Sequence, residues 1–355
     1  NDYNDNKKIT YHEQTDISNI LKLREVLKTL PPFCRDYFRA MDPVTTTNTR
    51  ISYAYDIRIF FQFLLDENPA FKNYSLKDFT VDVLDQLKAV DIEEYLEYLK
   101  VYKNGDKTET NGERGMKRKL SALRSFYAYY FKHEFIKTNP TVLVDVPKIH
   151  DKSIIRLDSD EVALLLDHIE HCGDELTGQK RAYYEKTKER DLAIVTLLLG
   201  TGIRVSECVG LDVEDLDFRN NGVKVTRKGG NEMVVYFGPE VEKALKKYLE
   251  VRENITPLAG HEHALFYSTQ RRRIGVQAIE NLVKKYAREI TTTKKITPHK
   301  LRSTYGTALY QETGDIYLVA DVLGHKDVNT TKKHYAALDD ARRRQAAKAV
   351  RLRED

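Results

Sequence analysis

The hydrophobic pattern of this chain changes its period along the sequence, and that change constrains the fold more than any other feature. After the threonine run at 45–49, a good helix start, apolar residues such as Ile51, Ala54 and Ile57 recur at helical spacing. Residues 211–237 alternate instead and contain Asn-Gly and Gly-Gly turns, which is typical of short antiparallel strands. Beyond Val276 the helical period returns. The pattern therefore predicts an α+β protein that is mostly α.

Two domains are predicted on either side of a linker at residues 148–153. The first, residues 1–150, is expected to be all-helical, with residues 1–44 adding extra helices around Pro31-Pro32. The second, residues 154–355, is expected to be mostly helical with a short antiparallel sheet. A length of 355 residues is sufficient for two hydrophobic cores.

Composition excludes several classes of protein. No apolar run approaches the roughly 20 residues of a membrane span, and the polar start contains no secretory signal. Three widely spaced cysteines argue against a disulfide framework and for a reducing, cytoplasmic location. The net charge is only +4, but basic residues cluster at 117–119, 271–273 and 342–344. The chain begins without methionine, which suggests a processed or truncated form.

The last quarter of the chain combines phosphate-binding cations, proton-transfer groups and a phenol. His299 and Arg302 are followed by His325 and Tyr335, and Arg204 comes after a glycine upstream. The planar guanidinium of arginine matches phosphate geometry and stays charged near neutrality. A phenol is ionised only about one part in a thousand near neutrality, so it needs a base or a cation beside it. Together these residue types indicate nucleophilic attack on a phosphodiester.

These segments resemble the tyrosine recombinase (phage integrase) family in their order and approximate spacing. The resemblance rests on residues 201–207, 299–302, 323–325 and Tyr335. The strand pair around 227–230 is similar to the family's lysine hairpin, and residues 48–57 and 119–124 are similar to its DNA-facing helices. The resemblance implies an N-terminal core-binding (SAM-like) domain and a C-terminal catalytic domain.

The resemblance also implies a role for each residue that contacts the phosphate. Arg204 and Arg302 would hold the scissile phosphate, and His325 would donate a further hydrogen bond to it. Tyr335 would attack and give a 3′-phosphotyrosyl link with a free 5′-hydroxyl. A second 5′-hydroxyl could reverse the step, because the covalent link keeps the phosphodiester energy.

Proton transfer and orientation fall to three other residues. The resemblance implies that Lys228 protonates the leaving oxygen, that His299 assists proton transfer at the nucleophile, and that Glu207 orients an arginine or a histidine. Lys224 and Arg227 lie on the same hairpin, and strand alternation points neighbours to opposite faces. The resemblance selects Lys228, because the family's lysine commonly sits just before a glycine at the turn, as Lys228 does.

Contacts with double-stranded DNA are expected on the basic clusters and on the two helices that resemble the family. Such contacts give affinity that falls with salt and carry little sequence information. The residues expected to contact DNA are Thr49, Arg50, Tyr53, Lys117, Arg118, Lys119, Arg124, Arg271, Arg272 and Arg273.

No metal or cofactor is expected. The segment His168-x-x-His171-Cys172 has no companion pair at zinc-ligand spacing. A glycine-rich phosphate loop followed by lysine and serine or threonine is missing from the sequence, so ATP use is not supported.

The sequence therefore predicts a site-specific DNA recombinase, assembling as a tetramer on two DNA sites as the resemblance implies. Accessory DNA-bending or directionality factors are further partners that the family admits, and the basic segment 339–355 is expected to pass to a neighbouring protomer. A mobile-element integrase is the predicted role, although no N-terminal arm-binding domain is visible. The alternatives are an Xer-like resolvase of chromosome or plasmid dimers, a type IB topoisomerase, and a non-catalytic DNA-binding regulator.

Overall fold

The computed structural model describes residues 9–150 and 152–349, and the chain divides into two compact units between Asp151 and Lys152. The division falls within the predicted linker at 148–153. In the described part of the first unit, the elements are α1 (Tyr11–Lys28), α2 (Cys34–Met41), α3 (Thr47–Glu67), α4 (Val83–Gln86), α5 (Ala89–Tyr98), β1 (Val101–Asn104), β2 (Lys107–Thr110) and α6 (Glu113–Lys132).

Hydroxyl caps start two of these helices. The Thr10 side chain accepts a hydrogen bond from the Glu13 N–H, and the Glu13 carboxylate accepts one from the Thr10 N–H, forming a capping box at the start of α1. Thr46, within the threonine run, caps α3 by accepting from Thr49 N–H. The helices expected from the hydrophobic pattern are therefore present, with their starts fixed by local hydrogen bonds.

The prediction that the first domain is all-helical was wrong at residues 101–110. Those residues form the antiparallel hairpin β1–β2, in which Val101 pairs with Thr110 and Asn104 with Lys107. The loop contains Gly105 at a φ of +61°, a conformation that glycine adopts without steric cost. The Asn-Gly-Asp sequence is a hairpin turn rather than a loop between two helices.

The core of the first unit is rich in aromatic rings. Phe126 packs edge-on against Phe61 and Tyr37, with ring centroids 6.2 and 5.3 Å away. Buried tyrosines direct their hydroxyls to partners: Tyr130 donates to the carbonyl of Phe33 at 2.6 Å. Aromatic area supplies the burial while the polar tips stay hydrogen-bonded.

The second unit is built mainly of helices around a three-stranded sheet. In its described part the elements are α7 (Ser159–His171), α8 (Gly178–Thr201), α9 (Val205–Val209), β3 (Leu216–Asp217), β4 (Gly222–Thr226), β5 (Glu232–Tyr236), α10 (Pro239–Glu253), α11 (Val276–Ile290), α12 (Pro298–Thr313), α13 (Ile316–Leu323) and α14 (Val328–Ala349). The sheet order is β3-β4-β5, antiparallel throughout.

Helix α8 is the centre of this unit and packs against α7, α10 and α12. Its C-terminal half is buried on all sides from Ala193 to Leu198. The sequence predicted only residues 189–199 as helix. The helix begins eleven residues earlier, where residues 178–183 are exposed and Tyr184 and Thr187 are the buried positions, too few to show an apolar period.

The sheet is covered on one face. Val223, Val225 and Val235 are buried, whereas Val234 and Tyr236 face solvent at 45% and 67% exposure. Strand alternation therefore fixes which side chains of the β4–β5 hairpin point inward. The hairpin turn follows Thr226 and contains the predicted lysine.

Candidate active site

The first arginine of the site lies where α8 ends. Gly202 caps α8 with a φ of +66°, and a Cβ there would come within 2.3 Å of the Tyr305 ring. Two residues later, Arg204 starts α9, and its Nη1 donates to Glu207 Oε1 at 2.8 Å. Glu207 is buried, while the Arg204 side chain is 39% exposed. The buried carboxylate therefore orients the guanidinium and leaves part of it open to solvent.

The second arginine is buried and bonded to the backbone. Arg302 lies on α12 and is 5% exposed. It donates from Nη1 to the carbonyl of Gly202 and from Nη2 to the carbonyl of Leu323. Burial, together with the positive charge of Arg204, lowers the pKa of Arg302 to about 10. A cation held by carbonyls and destabilised by its neighbours is arranged to receive an anion.

Both predicted histidines are neutral near neutral pH. Burial and the cations Lys300 and Arg302 lower the pKa of His299. Burial, followed by the charges of Arg302 and Arg204, lowers the pKa of His325 to about 4. A neutral His299 can accept a proton, as the predicted role requires.

A buried threonine orients His325. His325 follows Gly324, which ends α13 at a φ of +70°. Its Nδ1 lies 2.6 Å from the hydroxyl of Thr331, which is fully buried. We assign the hydroxyl as the donor to Nδ1 in this contact. Nε2 of the neutral ring then carries the hydrogen and is a donor. That tautomer suits a residue that hydrogen-bonds phosphate.

The phenol of Tyr335, on α14, is packed into the interior. The side chain is 2% exposed, and a Cβ built on Gly306 would lie 2.0 Å from its hydroxyl oxygen. Burial raises the pKa of Tyr335 to about 12, against an opposing effect of Arg302. In the protein alone, the phenol is therefore protonated and shielded, and only a glycine at position 306 leaves room for it.

The predicted lysine lies on a hairpin turn. Lys228 is exposed in the turn between β4 and β5. Lys224, on β4, lies 3.4 Å from Glu232 and 3.9 Å from Asp215 and is thereby committed to carboxylates. Arg227 points inward and donates from Nη2 to the carbonyl of Val322 at 2.7 Å.

The structure thus collects five of the six predicted catalytic residues around the ends of α8, α12 and α13. Shared electrostatics connect them, because Arg204 and Arg302 contribute to the lowered pKa values of both histidines. Lys228 is carried on the hairpin whose inward arginine reaches α13. Two neutral histidines, two oriented arginines and a phenol can together bind a phosphodiester, transfer protons and attack phosphorus.

Comparison with known proteins identifies the family. The model of the phage integrase family matches residues 156–342, more than half of the chain. The tyrosine recombinase XerS of Lactococcus lactis subsp. cremoris (strain MG1363) is 32% identical over 341 residues, covering 89% of this chain and 93% of that protein. The chain belongs to the phage integrase family. It is a tyrosine recombinase, a site-specific enzyme that cleaves and rejoins DNA.

Other relatives and solved structures agree. The tyrosine recombinase XerC of Caldanaerobacter subterraneus subsp. tengcongensis is also 32% identical, over 92% of this chain and 88% of that protein. The Tn1549 transposon integrase, solved in complex with circular intermediate DNA, has a TM-score of 0.62 at 22% identity, covering 90% of this chain and 99% of that chain. The XerH recombinase bound to palindromic difH substrate has a TM-score of 0.61 at 22% identity, covering 85% of this chain and 78% of that chain. The two structures share the fold. Within the residues described, no helix is long and apolar enough to cross a membrane.

Several residues expected to contact DNA form ion pairs or hydrogen bonds within this tyrosine recombinase. Lys119 is buried with its ammonium 3.6 Å from Asp56, and Arg124 donates to the carbonyls of Thr141 and Val144. Lys119 is buried and Arg124 is half-buried, and both are bonded within the protein, so DNA contact by either residue stays a prediction.

Other basic residues of the same prediction divide between internal contacts and the surface. Arg273 donates to the carbonyls of Val209 and Leu211 and pairs with Asp212. Arg50 pairs with Asp42 at 2.5 Å, and Arg118, which is half-exposed, pairs with Asp56 at 2.8 Å. Thr49 lies 3.0 Å from the hydroxyl of Thr46, and Tyr53 is partly buried. Lys117, Arg118, Arg271 and Arg272 are exposed, and DNA contact by these and the other residues of the set stays a prediction.

Three residues of the site were missed by sequence reasoning. Thr331 orients His325, Gly306 makes room for Tyr335, and Arg227 joins the hairpin to α13. A local signal existed only for Arg227, which stands where the family often has a small residue before the lysine. The other two depend on contacts between helices that the sequence does not reveal.

Proposed function

We propose that Tyr335 cleaves one DNA strand at a phosphodiester held by Arg204, Arg302 and His325. The observation that carries the proposal is the buried guanidinium of Arg302, which is bonded to two carbonyls while its pKa is lowered to about 10. A desolvated cation in this state gains most from a bound anion, and phosphate matches its planar donor fork. Glu207 keeps Arg204 turned toward the same position.

The reaction requires two proton transfers. The Tyr335 oxygen forms a bond to phosphorus as the bond from phosphorus to the 5′ oxygen breaks. The phenolic proton passes to neutral His299, and Lys228 gives a proton to the leaving 5′ oxygen. The product is a 3′-phosphotyrosyl link and a free 5′-hydroxyl. Attack by another 5′-hydroxyl reverses each transfer and rejoins the strand without an external energy source.

The packing of Tyr335 adds a condition to this mechanism. A phenol with a pKa of about 12 is a poor nucleophile until it is moved or deprotonated. A bound phosphate would neutralise the charge of the arginines. The Tyr335 hydroxyl therefore has to reach the phosphorus atom as the DNA binds. We therefore expect α14 to shift on DNA binding and to release the hydroxyl from Gly306.

Covalent capture tests the nucleophile on DNA of any sequence. The protein is incubated with a pool of nicked duplexes of randomised sequence, and protein-linked DNA is recovered under denaturing conditions. Wild type and Tyr310→Phe, a change at a neighbouring buried tyrosine, should both give adducts. Tyr335→Phe should give none, and adducts formed by that variant would overturn the assignment.

Assembly is proposed to be a tetramer on two duplex sites, because recombination exchanges strands between two duplexes. The basic end of α14, where Arg343 and Arg344 are exposed, would dock on a neighbouring protomer. Removing the residues after Asp340 should impair pairing of two sites in a gel-shift assay while single-site binding persists. Full pairing by the truncated protein would argue against this role of the tail.

Two biological roles share this chemistry. Integration of a mobile element is the first, and resolution of chromosome or plasmid dimers is the second, favoured by curated relatives named XerS and XerC that align over about nine-tenths of the chain. The captured DNA site distinguishes them. Two identical copies on one plasmid should suffice for a resolvase, whereas an integrase should require a second, different partner site.

A further inference from the structure

The inward arginine of the hairpin, Arg227, makes a contact that no step of the mechanism has used. It stands directly before Lys228, at the base of the turn. Its backbone N–H donates to the Asn231 carbonyl at 2.7 Å, and its carbonyl accepts from Gly230 N–H at 3.0 Å. The residue therefore closes the turn through its backbone while its side chain leaves the hairpin for α13.

The guanidinium lies against the glycine that precedes His325. A Cβ placed on Gly324 would fall 1.5 Å from Nη1 of Arg227, so any side chain at that position would displace the arginine. Gly324 also has a φ of +70°, which disfavours other residues independently. The close approach of backbone and guanidinium brings the lysine turn next to the turn that carries His325.

Two arginines donate hydrogen bonds to the same end of a helix. Arg227 donates to the carbonyl of Val322 and Arg302 to the carbonyl of Leu323, which are consecutive acceptors at the C-terminus of α13. Carbonyls at a helix C-terminus lack helical partners and carry the negative end of the dipole, so they are natural sites for cations. One arginine comes from the core helix α12 and the other from the hairpin.

Nothing in the turn itself explains why this charge is buried. Lys228, Gly229 and Gly230 are exposed, and a Cβ on either glycine would meet no atom within 4 Å. Nε and Nη1 of Arg227 are buried and, among the described residues, have no hydrogen-bond partner. Burying a partly bonded guanidinium is unfavourable, so a stabilising role alone does not account for it.

We propose that Arg227 is a positioning residue that fixes the lysine turn, residues 228–230, to the end of α13 and thereby holds Lys228 beside His325 for proton delivery to the leaving 5′ oxygen. The proposal rests on the proposed function, in which Lys228 is the proton donor. Its physical basis is the exposed side chain of Lys228, whose ammonium would otherwise sample many positions. A 1 Å misplacement of a reacting group can cost about 100-fold in rate.

A DNA substrate with sulfur in place of the bridging 5′ oxygen separates this role from others. A thiol is far more acidic than a sugar hydroxyl, so a thiolate leaves without being protonated. Lys228→Ala should lower the cleavage rate of ordinary DNA by about 10²- to 10⁴-fold and recover on the sulfur substrate. Arg227→Ala should lower the rate on ordinary DNA by about 100-fold and recover likewise.

Matched variants protect the test against a folding defect. Arg219→Ala removes an exposed arginine from the loop before β4 and should behave as wild type on both substrates. Arg227→Lys keeps the charge without the planar fork and should fall between wild type and Arg227→Ala. Thermal unfolding of each variant identifies loss of structure separately from loss of rate.

The outcomes distinguish the two levels of the proposal. If Lys228→Ala recovers on sulfur but Arg227→Ala is equally slow on both substrates, Arg227 acts on the phosphate or the fold and the positioning role is overturned. Normal rates for Arg227→Ala on ordinary DNA overturn it as well. If Lys228→Ala itself fails to recover, the lysine assignment of the proposed function is wrong and the positioning role falls with it.

Discussion

Two buried arginines in the second unit have opposite surroundings. Arg190, on α8, donates from Nε and Nη2 to the Asp191 carboxylate at 3.0 and 2.8 Å. Burial acts to lower the pKa of Arg190, but Asp191 together with Tyr183 offsets it, and the pKa is raised. Arg302 is equally buried, bonds to backbone carbonyls, and has its pKa lowered to about 10 by burial and by Arg204.

This difference distinguishes an arginine with a structural role from an arginine with a functional role. Asp191 also accepts from the Tyr286 hydroxyl at 2.9 Å, so Arg190 already has its carboxylate partner within the protein. The region around Arg302 gathers several cations near one carboxylate, Glu207, which is already paired with Arg204. Excess buried positive charge is tolerated where a ligand is to supply the anion.

The largest expected effect is on catalysis at Arg302. Arg302→Ala should lower the rate of strand cleavage by about 10³-fold or more, because it removes a desolvated cation from the developing charge on phosphate. Single-turnover cleavage of the captured DNA site measures this rate. Arg190→Lys, a change at the neutral pair, provides the comparison and should keep most of the activity of its folded fraction.

A smaller effect, on stability instead of rate, is expected at the neutral pair. Asp191→Ala would leave Arg190 buried without a carboxylate and should lower the free energy of unfolding by about 3–5 kcal/mol. Lys285→Ala removes only the exposed lysine 3.9 Å from Asp191 and should change it by about 0–1 kcal/mol. Urea denaturation of both variants checks the contrast. Equal losses would mean that burial does not distinguish these charges.

The smallest expected effect is the pH dependence of stability at His325. The folded pKa of about 4 lies below the ordinary value of about 6.5. The unfolded chain then binds more protons between these values, so the stability contribution is complete above about pH 6.5 and is lost as pH falls toward about 4. His325→Gln should remove this part of the loss, measured by urea denaturation across that range. An unchanged profile in the variant would assign the loss to other groups.

Much of this molecule was predictable because local patterns carry it. The period of apolar residues identified α3 and α6 and the alternation in β4 and β5, and turn chemistry located the linker and the hairpin turn. The hairpin β1–β2 was missed because its four-residue strands are mostly polar and exposed. The start of α8 was missed for the same reason.

The candidate site was predictable as residue types but not as geometry. Arg204, Arg302, His325 and Tyr335 are recognisable from their order, yet whether an arginine is neutralised depends on which charges the fold brings beside it. Arg190 and Arg302 cannot be told apart by their neighbours alone, since Asp191 becomes a buried partner only in the folded core. The sequence does not show which charged groups become neighbours once the chain has folded.

The measurement that tests the central claim most directly is cleavage of DNA whose scissile phosphate is replaced by a methylphosphonate. The methyl group removes the negative charge that Arg302 is argued to receive, so the arginine loses its electrostatic role on this substrate. Arg302→Ala should cleave the methylphosphonate at nearly the wild-type rate while remaining about 10³-fold or more slower on ordinary DNA. A variant that is equally defective on both substrates, although folded by thermal unfolding, would contradict the claim that the buried charge of Arg302 serves the phosphate.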